Sequence, residues 1–203
     1  MFKNISLMKI IVAFLFILAA AALLLSHMDT GLSFITAGPV ESSDGSLFQK
    51  MGVLPPPPID GPVEFTLEDL SGKPVRMSDF KGNVVFLNFW ATWCPDCRIE
   101  MPSMEKLHKR FKNKRFSMVT VNLSEPASQV KQFFKTHDLT FTGLLDMDRK
   151  ISRQLGIRAI PTTLILDGSG NIMGSIIGSR NWDSRESHAF FDYLVKRIEH
   201  TVF

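Results

Sequence analysis

Cysteine is nearly absent from this chain of 203 residues: there are two, Cys94 and Cys97. Two thiols cannot staple a small scaffold, which takes several bridges to replace a core. No second CxxC and no closely spaced histidine pair is present. The five histidines (His27, His108, His137, His188, His200) are scattered and read as surface or helix-face residues. A zinc site with four protein ligands is therefore excluded. A strong charge of one sign is missing too. The formal net charge is +3, too small to argue for a nucleic-acid partner. No internal repeat appears, and the ten methionines form no clustered copper-binding pattern.

One long apolar run is present. Ile10 to Leu25 is apolar without a break, about 24 Å if helical. Leu7, Met8 and Met28 extend it toward the ~30 Å thickness of a hydrocarbon core. Lys3 and Lys9 precede it and Asp29 follows, which predicts a cytoplasmic N-terminus and an exported remainder. Small residues suited to cleavage are missing from "LLLSHMDTG", and "ITAG" lies well downstream. The expectation is a retained signal anchor, a transmembrane helix over 1–28. Residues 29–60, with Pro55 to Pro58 in succession, predict an extended extracytoplasmic tether. One domain is expected over 61–203.

Within that domain strands and helices alternate. "VEFTLEDLSGKPVRMSDF" predicts a hairpin around Ser71-Gly72. "NVVFLNFW" is a nearly continuous apolar run, as a strand buried on both faces would be. A helix follows through about Phe111, with Pro102 inside it. "FSMVTVNL" is a second core strand. "SQVKQFFKTHD" predicts a helix with Val130, Phe133 and Phe134 inward, and "RKISRQLG" a short helix ended by Gly156. "TTLILD" and "NIMGSIIG" predict a second hairpin, and the stretch after Ser184 an amphipathic C-terminal helix.

The two cysteines follow a buried strand and open a helix. A structural disulfide across so short a loop removes little unfolded-state entropy. Cys94 at the helix N-terminus meets unpaired amides and the positive end of the macrodipole, which favour a thiolate. Cys97, one turn in, is shielded. That division suits disulfide exchange: Cys94, expected to be exposed, attacks and Cys97 resolves. Pro95 in the first turn costs nothing, because its missing N–H would be unpaired anyway. Copper(I) also accepts two thiolates, so a metallochaperone-like module is an alternative. Cys97 and Glu100 are i and i+3, on one helix face. Glu100 is therefore either a general base for Cys97 or an ordinary solvated glutamate. Ile160-Pro161 precedes a strand. If cis and facing the cysteines, it would expose the backbone of Ile160 to an incoming peptide.

These residues carry a resemblance. "FWATWCPDC", the helix holding Pro102, and "IPTT" before a hairpin resemble the thioredoxin fold. "FTLEDLSGKPVRMSDFKGNVVFLNFWATWCPDCRIEMP", "GIRAIPTTLILDGSG" and the "GSRNWDS" stretch resemble TlpA/ResA-type membrane-anchored thiol-disulfide oxidoreductases, over about residues 60–198. The resemblance implies an α/β fold, a central mixed β-sheet flanked by helices with an N-terminal β-hairpin extension. It implies Cys94 as nucleophile, Cys97 as resolving cysteine, Glu100 as active-site glutamate and Pro161 as cis-proline. Trp93, Pro95, Ile160 and Pro161 are the implied substrate contacts. Asn88 stands where thioredoxins carry a buried aspartate, so proton handling is expected to have moved to Glu100.

The implied function is an extracytoplasmic protein-disulfide reductase at the cytoplasmic membrane, recharged by a membrane electron donor and needing no cofactor. Apocytochrome c or a copper-site protein is the implied substrate. A peroxiredoxin-type peroxidase shares the N-terminal hairpin. Here, however, Thr92 lies two residues before Cys94 rather than three, and no proline precedes it.

Overall fold

The computed structural model describes residues 43–201. The expected membrane anchor over 1–28 lies outside them, as does the first part of the expected tether. Among the described residues, no helix is long and apolar enough to cross a membrane.

Seven strands form one sheet: β1 (Thr66–Asp69), β2 (Pro74–Arg76), β3 (Val84–Trp90), β4 (Phe116–Leu123), β5 (Thr142–Asp146), β6 (Thr162–Leu166) and β7 (Ile172–Ile177). Their order across the sheet is β2-β1-β5-β4-β3-β6-β7. β3, β4 and β5 run parallel, and every other neighbour pair is antiparallel. The helices are α1 (Ser43–Lys50), α2 (Pro95–Phe111), α3 (Ala127–Thr136), α4 (Lys150–Gln154) and α5 (Arg185–Thr201). This is the mixed sheet with flanking helices and an N-terminal hairpin that the sequence predicts.

β3 is central and all seven of its residues are buried. Its period of two divides the core. Phe86 and Trp90 face a cluster built with Met101, Met104, Leu107 and Phe111 of α2 and Phe190, Phe191 and Leu194 of α5. Val85, Leu87 and Phe89 join Val119, Val121, Leu144, Ile151 and Leu164 on the other face. Asn88 falls between Phe86 and Trp90, so its amide points toward α2. Ser184 begins α5, with its hydroxyl accepting from the Ser187 N–H at 3.1 Å.

Two features differ from the sequence expectation. β5 has no counterpart in it. "TGLLD" is short and is interrupted by Gly143, whose missing side chain admits the ring of Phe134 from α3. The segment expected as tether carries α1 and packs on the domain. Phe48 meets Phe190 edge-on at 5.0 Å, Met51 is buried, and Leu54 pairs with Ser175 of β7. Burial of Met51 and partial burial of Leu47 and Phe48 outweigh the polar composition around them. Gly174 makes the close approach feasible, because any Cβ there would strike Val53 and the Leu54 carbonyl.

Candidate active site

The turn after β3 delivers the cysteines to the start of α2. Cys94 is the N-cap residue, with Pro95 in the first turn. Cys94 and Cys97 are joined as a disulfide. The Cys97 N–H points at Cys94 Sγ, 3.2 Å away, an orphan helix donor serving sulfur. A thiolate at this atom would receive the same bond. Cys94 is 4% exposed and Cys97 0%, so the pair is asymmetric but closed. That corrects the expectation of an exposed Cys94: the sulfur is covered from the opposite loop, where the Ile160 carbonyl oxygen lies 3.9 Å from it.

The Ile160-Pro161 peptide bond is cis. Pro161 is buried and its carbonyl accepts from the Gly178 N–H at 2.9 Å, which fixes the loop to the end of β7. The structure thus brings Cys94, Cys97, Ile160 and Pro161 together from elements far apart in sequence. Trp93, 67% exposed, and Pro95 stand at the rim. A groove lined in part by Leu54, Pro55, Ala159, Thr162 and Ile177 runs beside the cis-proline loop. Leu54 and Ile177 are exposed apolar side chains in it. A larger cavity of about 600 Å³ lies by Val84, Gly168 and Leu194. Val84 begins β3 and the cysteines follow its far end, so that cavity sits about 20 Å from the sulfurs.

Glu100 is 1% exposed, one turn after Cys97. It is not on a solvated face. Asn88 Nδ2 donates to one carboxyl oxygen at 3.0 Å and Trp182 Nε1 to the other at 2.8 Å. Asn88 Nδ2 also reaches Thr163 Oγ1 at 3.0 Å, tying the pair to β6. Burial raises the pKa of Glu100 from 4.5 to about 7. The Trp182 and Asn88 hydrogen bonds, the backbone N–H of Arg180 and the Arg180 charge oppose that rise without cancelling it. A carboxyl with this pKa exchanges protons near neutrality.

Sequence reasoning passed over several supporting residues. Glu125 accepts from the Thr92 N–H and hydroxyl, from Asn122 Nδ2 and from Gln129 Nε2, and so pins the turn ahead of Cys94. Arg180 covers Trp182, and Thr163 steadies Asn88. Their roles depend on contacts distant in sequence, which no local pattern signals. Among the described residues no group of three or more His, Cys, Asp or Glu side chains could hold a metal ion.

Fold and site together define a thioredoxin-like disulfide centre. The AhpC/TSA family model matches residues 60–175. The chain is 36% identical over 124 residues to the thiol-disulfide oxidoreductase ResA of Bacillus thuringiensis subsp. konkukian, covering 61% of this chain and 72% of that one. A thioredoxin-family thiol:disulfide interchange protein of Chlorobium tepidum TLS superposes with a TM-score of 0.55 at 31% identity, over 72% of this chain and 96% of that one. StoA of Bacillus subtilis gives 0.55 at 26% identity, over 68% and 98%. The chain belongs to the AhpC/TSA family, and within the thioredoxin superfamily it is a ResA/TlpA-type protein thiol-disulfide oxidoreductase.

Proposed function

We propose that this oxidoreductase works as a reductase of protein disulfides outside the cytoplasm, held at the membrane by residues 1–28. The observation that carries the chemistry is the buried Glu100 carboxyl one helical turn from the buried Cys97. The Cys94 thiolate attacks a substrate disulfide. A mixed disulfide forms and one substrate sulfur leaves as thiolate. Glu100 takes the proton of the Cys97 thiol, and the Cys97 thiolate attacks Cys94 Sγ. The Cys94–Cys97 bond forms, the bond to substrate breaks, and the second substrate sulfur leaves. Two electrons have passed to the substrate. A dithiol donor, in or across the membrane, must return two to Cys94–Cys97 before the next turnover.

The substrate backbone lies along Ile160, beside the cis-proline, with Trp93 and Pro95 at the rim. Its apolar flank fills the groove beside Leu54 and Ile177. Apocytochrome c cysteines awaiting haem, or the cysteines of a copper-site protein, are the proposed substrates. The export reading is supported by Lys3 and Lys9 ahead of the apolar run from Ile10 to Leu25.

The test is the reduction potential of the Cys94–Cys97 pair, measured on the full chain in mild detergent against a dithiothreitol series. Truncation at Gly61 would strip α1 and Met51 from the core, so the whole chain is needed. A value near about −270 mV supports a reductase; one near about −120 mV overturns it in favour of a disulfide-forming oxidant. Stoichiometric copper(I) retention without a reversible two-electron couple would move the assignment to the metallochaperone-like module.

A further inference from the structure

Glu100 is held from outside its own helix. Trp182 Nε1 donates to its carboxyl at 2.8 Å. The Trp182 N–H donates to Ser103 Oγ at 3.0 Å, and that hydroxyl donates to the Glu100 carbonyl at 2.8 Å. Trp182 is thus fixed to α2 at two points, by its indole and by its backbone N–H. Over it lies Arg180, its guanidinium carbon 5.4 Å from the ring centroid. Arg180 is half-buried, and its Nη1 donates to the carbonyl of Met51, just beyond α1. A cation stripped of part of its hydration interacts more strongly with a buried carboxylate than an exposed one would.

We propose that Arg180 is a positioning residue for disulfide exchange: docked on the Met51 carbonyl and stacked on Trp182, it aims the indole N–H at Glu100 and so governs proton exchange between Glu100 and Cys97. The inference rests on Glu100 acting as the base for Cys97. Groups facing Glu100 come from four places. Asn88 comes from β3, with Thr163 of β6 behind it, Trp182 and Arg180 come from the loop before α5, and Cys97 shares α2. Of these only Arg180 carries a permanent charge. Its backbone N–H and its charge draw the Glu100 pKa down against burial; burial lowers the Arg180 pKa, and the Glu100 charge opposes that. The Met51 contact has a consequence: the junction through which the chain leaves α1 is joined, through the side chains of Arg180 and Trp182, to the proton acceptor of the active site.

The test uses the reduced full chain and an aromatic disulfide, 5,5′-dithiobis(2-nitrobenzoate). Cys94 releases the first coloured thiolate, and Cys97 releases the second as it resolves the mixed disulfide. The second phase is followed from about pH 5 to about pH 9. In Arg180→Gln the midpoint of that phase rises by about one pH unit, about tenfold slower at pH 6, with the alkaline plateau kept. Arg180→Lys, which keeps the charge, returns most of the shift. Arg180→Met, which keeps the apolar stem, behaves as Arg180→Gln and serves if that variant does not fold. An unmoved midpoint in both uncharged variants overturns the proposal, and so does a shift that Arg180→Lys leaves in place. Glu100→Gln separates the two claims. If it retains the pH-dependent limb, the assignment of Glu100 as base fails, whatever Arg180 does.

Discussion

Two buried carboxylates flank the cysteines, and they are provisioned differently. Glu125, 4% exposed, receives four hydrogen bonds from Thr92, Asn122 and Gln129. Glu100, 1% exposed, receives side-chain hydrogen bonds from Asn88 and Trp182 and a backbone contact from Arg180. An ionised carboxyl has about four acceptor positions. At Glu125 they are filled from the turn at Thr92, from β4 and from α3, and the residue acts as a clasp on the turn before Cys94. At Glu100 the donors are fewer, and burial raises the pKa to about 7 in spite of them. Burial alone therefore does not set the two acids apart; the supply of donors does.

Exchanging the acids for amides tests this contrast most sharply. Glu100→Gln should slow the resolving step by roughly 10²- to 10⁴-fold, the usual contribution of general-base catalysis. Glu125→Gln, per folded molecule, should stay within a few-fold of the parent rate. Equal losses in stopped-flow resolving rates would break the comparison.

Stability against pH gives the next effect. The folded-state pKa of Glu100 is raised, so the fold holds the proton more tightly than the unfolded chain does. The stability linked to that proton is complete below pH 4.5 and is lost as pH rises through about 7. The loss is about 3 kcal/mol at most. Urea midpoints taken across this window should fall for the parent and stay flatter for Glu100→Gln. A parent curve that rises instead would contradict the burial argument.

Glu125→Ala should cost roughly 2–3 kcal/mol at neutral pH, because it strands donors that water does not reach freely. The same urea titration reads it. Smallest is Asp192→Asn, which removes surface pairs with Lys114 at 2.8 Å and Arg110 at 3.3 Å. Far from both acids, it should change stability by less than about 1 kcal/mol and leave every rate unchanged.

The sequence made the contiguous parts of this molecule legible. β3 is a run of apolar residues, the cysteines are adjacent to it, and the hairpins carry Gly at their turns. Glu100 could be aligned with Cys97 because both lie on one helix. β5 was illegible because five residues with a glycine at the second make neither a strong alternation nor a bulky run. α1 was illegible because "SDGSLFQK" is polar and its two large apolar side chains, Leu47 and Phe48, gain meaning only against α5. The partners of both acids come from 33 or more residues away in several cases, Thr92 with Glu125 and Trp182 with Glu100 among them. Local periodicity carries no information about such pairs.

The bridge between Leu54 and Ser175 has a consequence beyond packing. β7 ends the sheet on its side, and an outermost strand offers unpaired amides and carbonyls to any extended chain that drifts past. A protein thiol-disulfide oxidoreductase brings other polypeptides to its surface at every turnover. Here the Ser175 N–H and carbonyl are already taken by Leu54, at 3.0 and 2.8 Å. The short polypeptide crossing over Gly174 acts as a selvedge. It leaves clients free to engage the disulfide while discouraging them from being woven into the sheet.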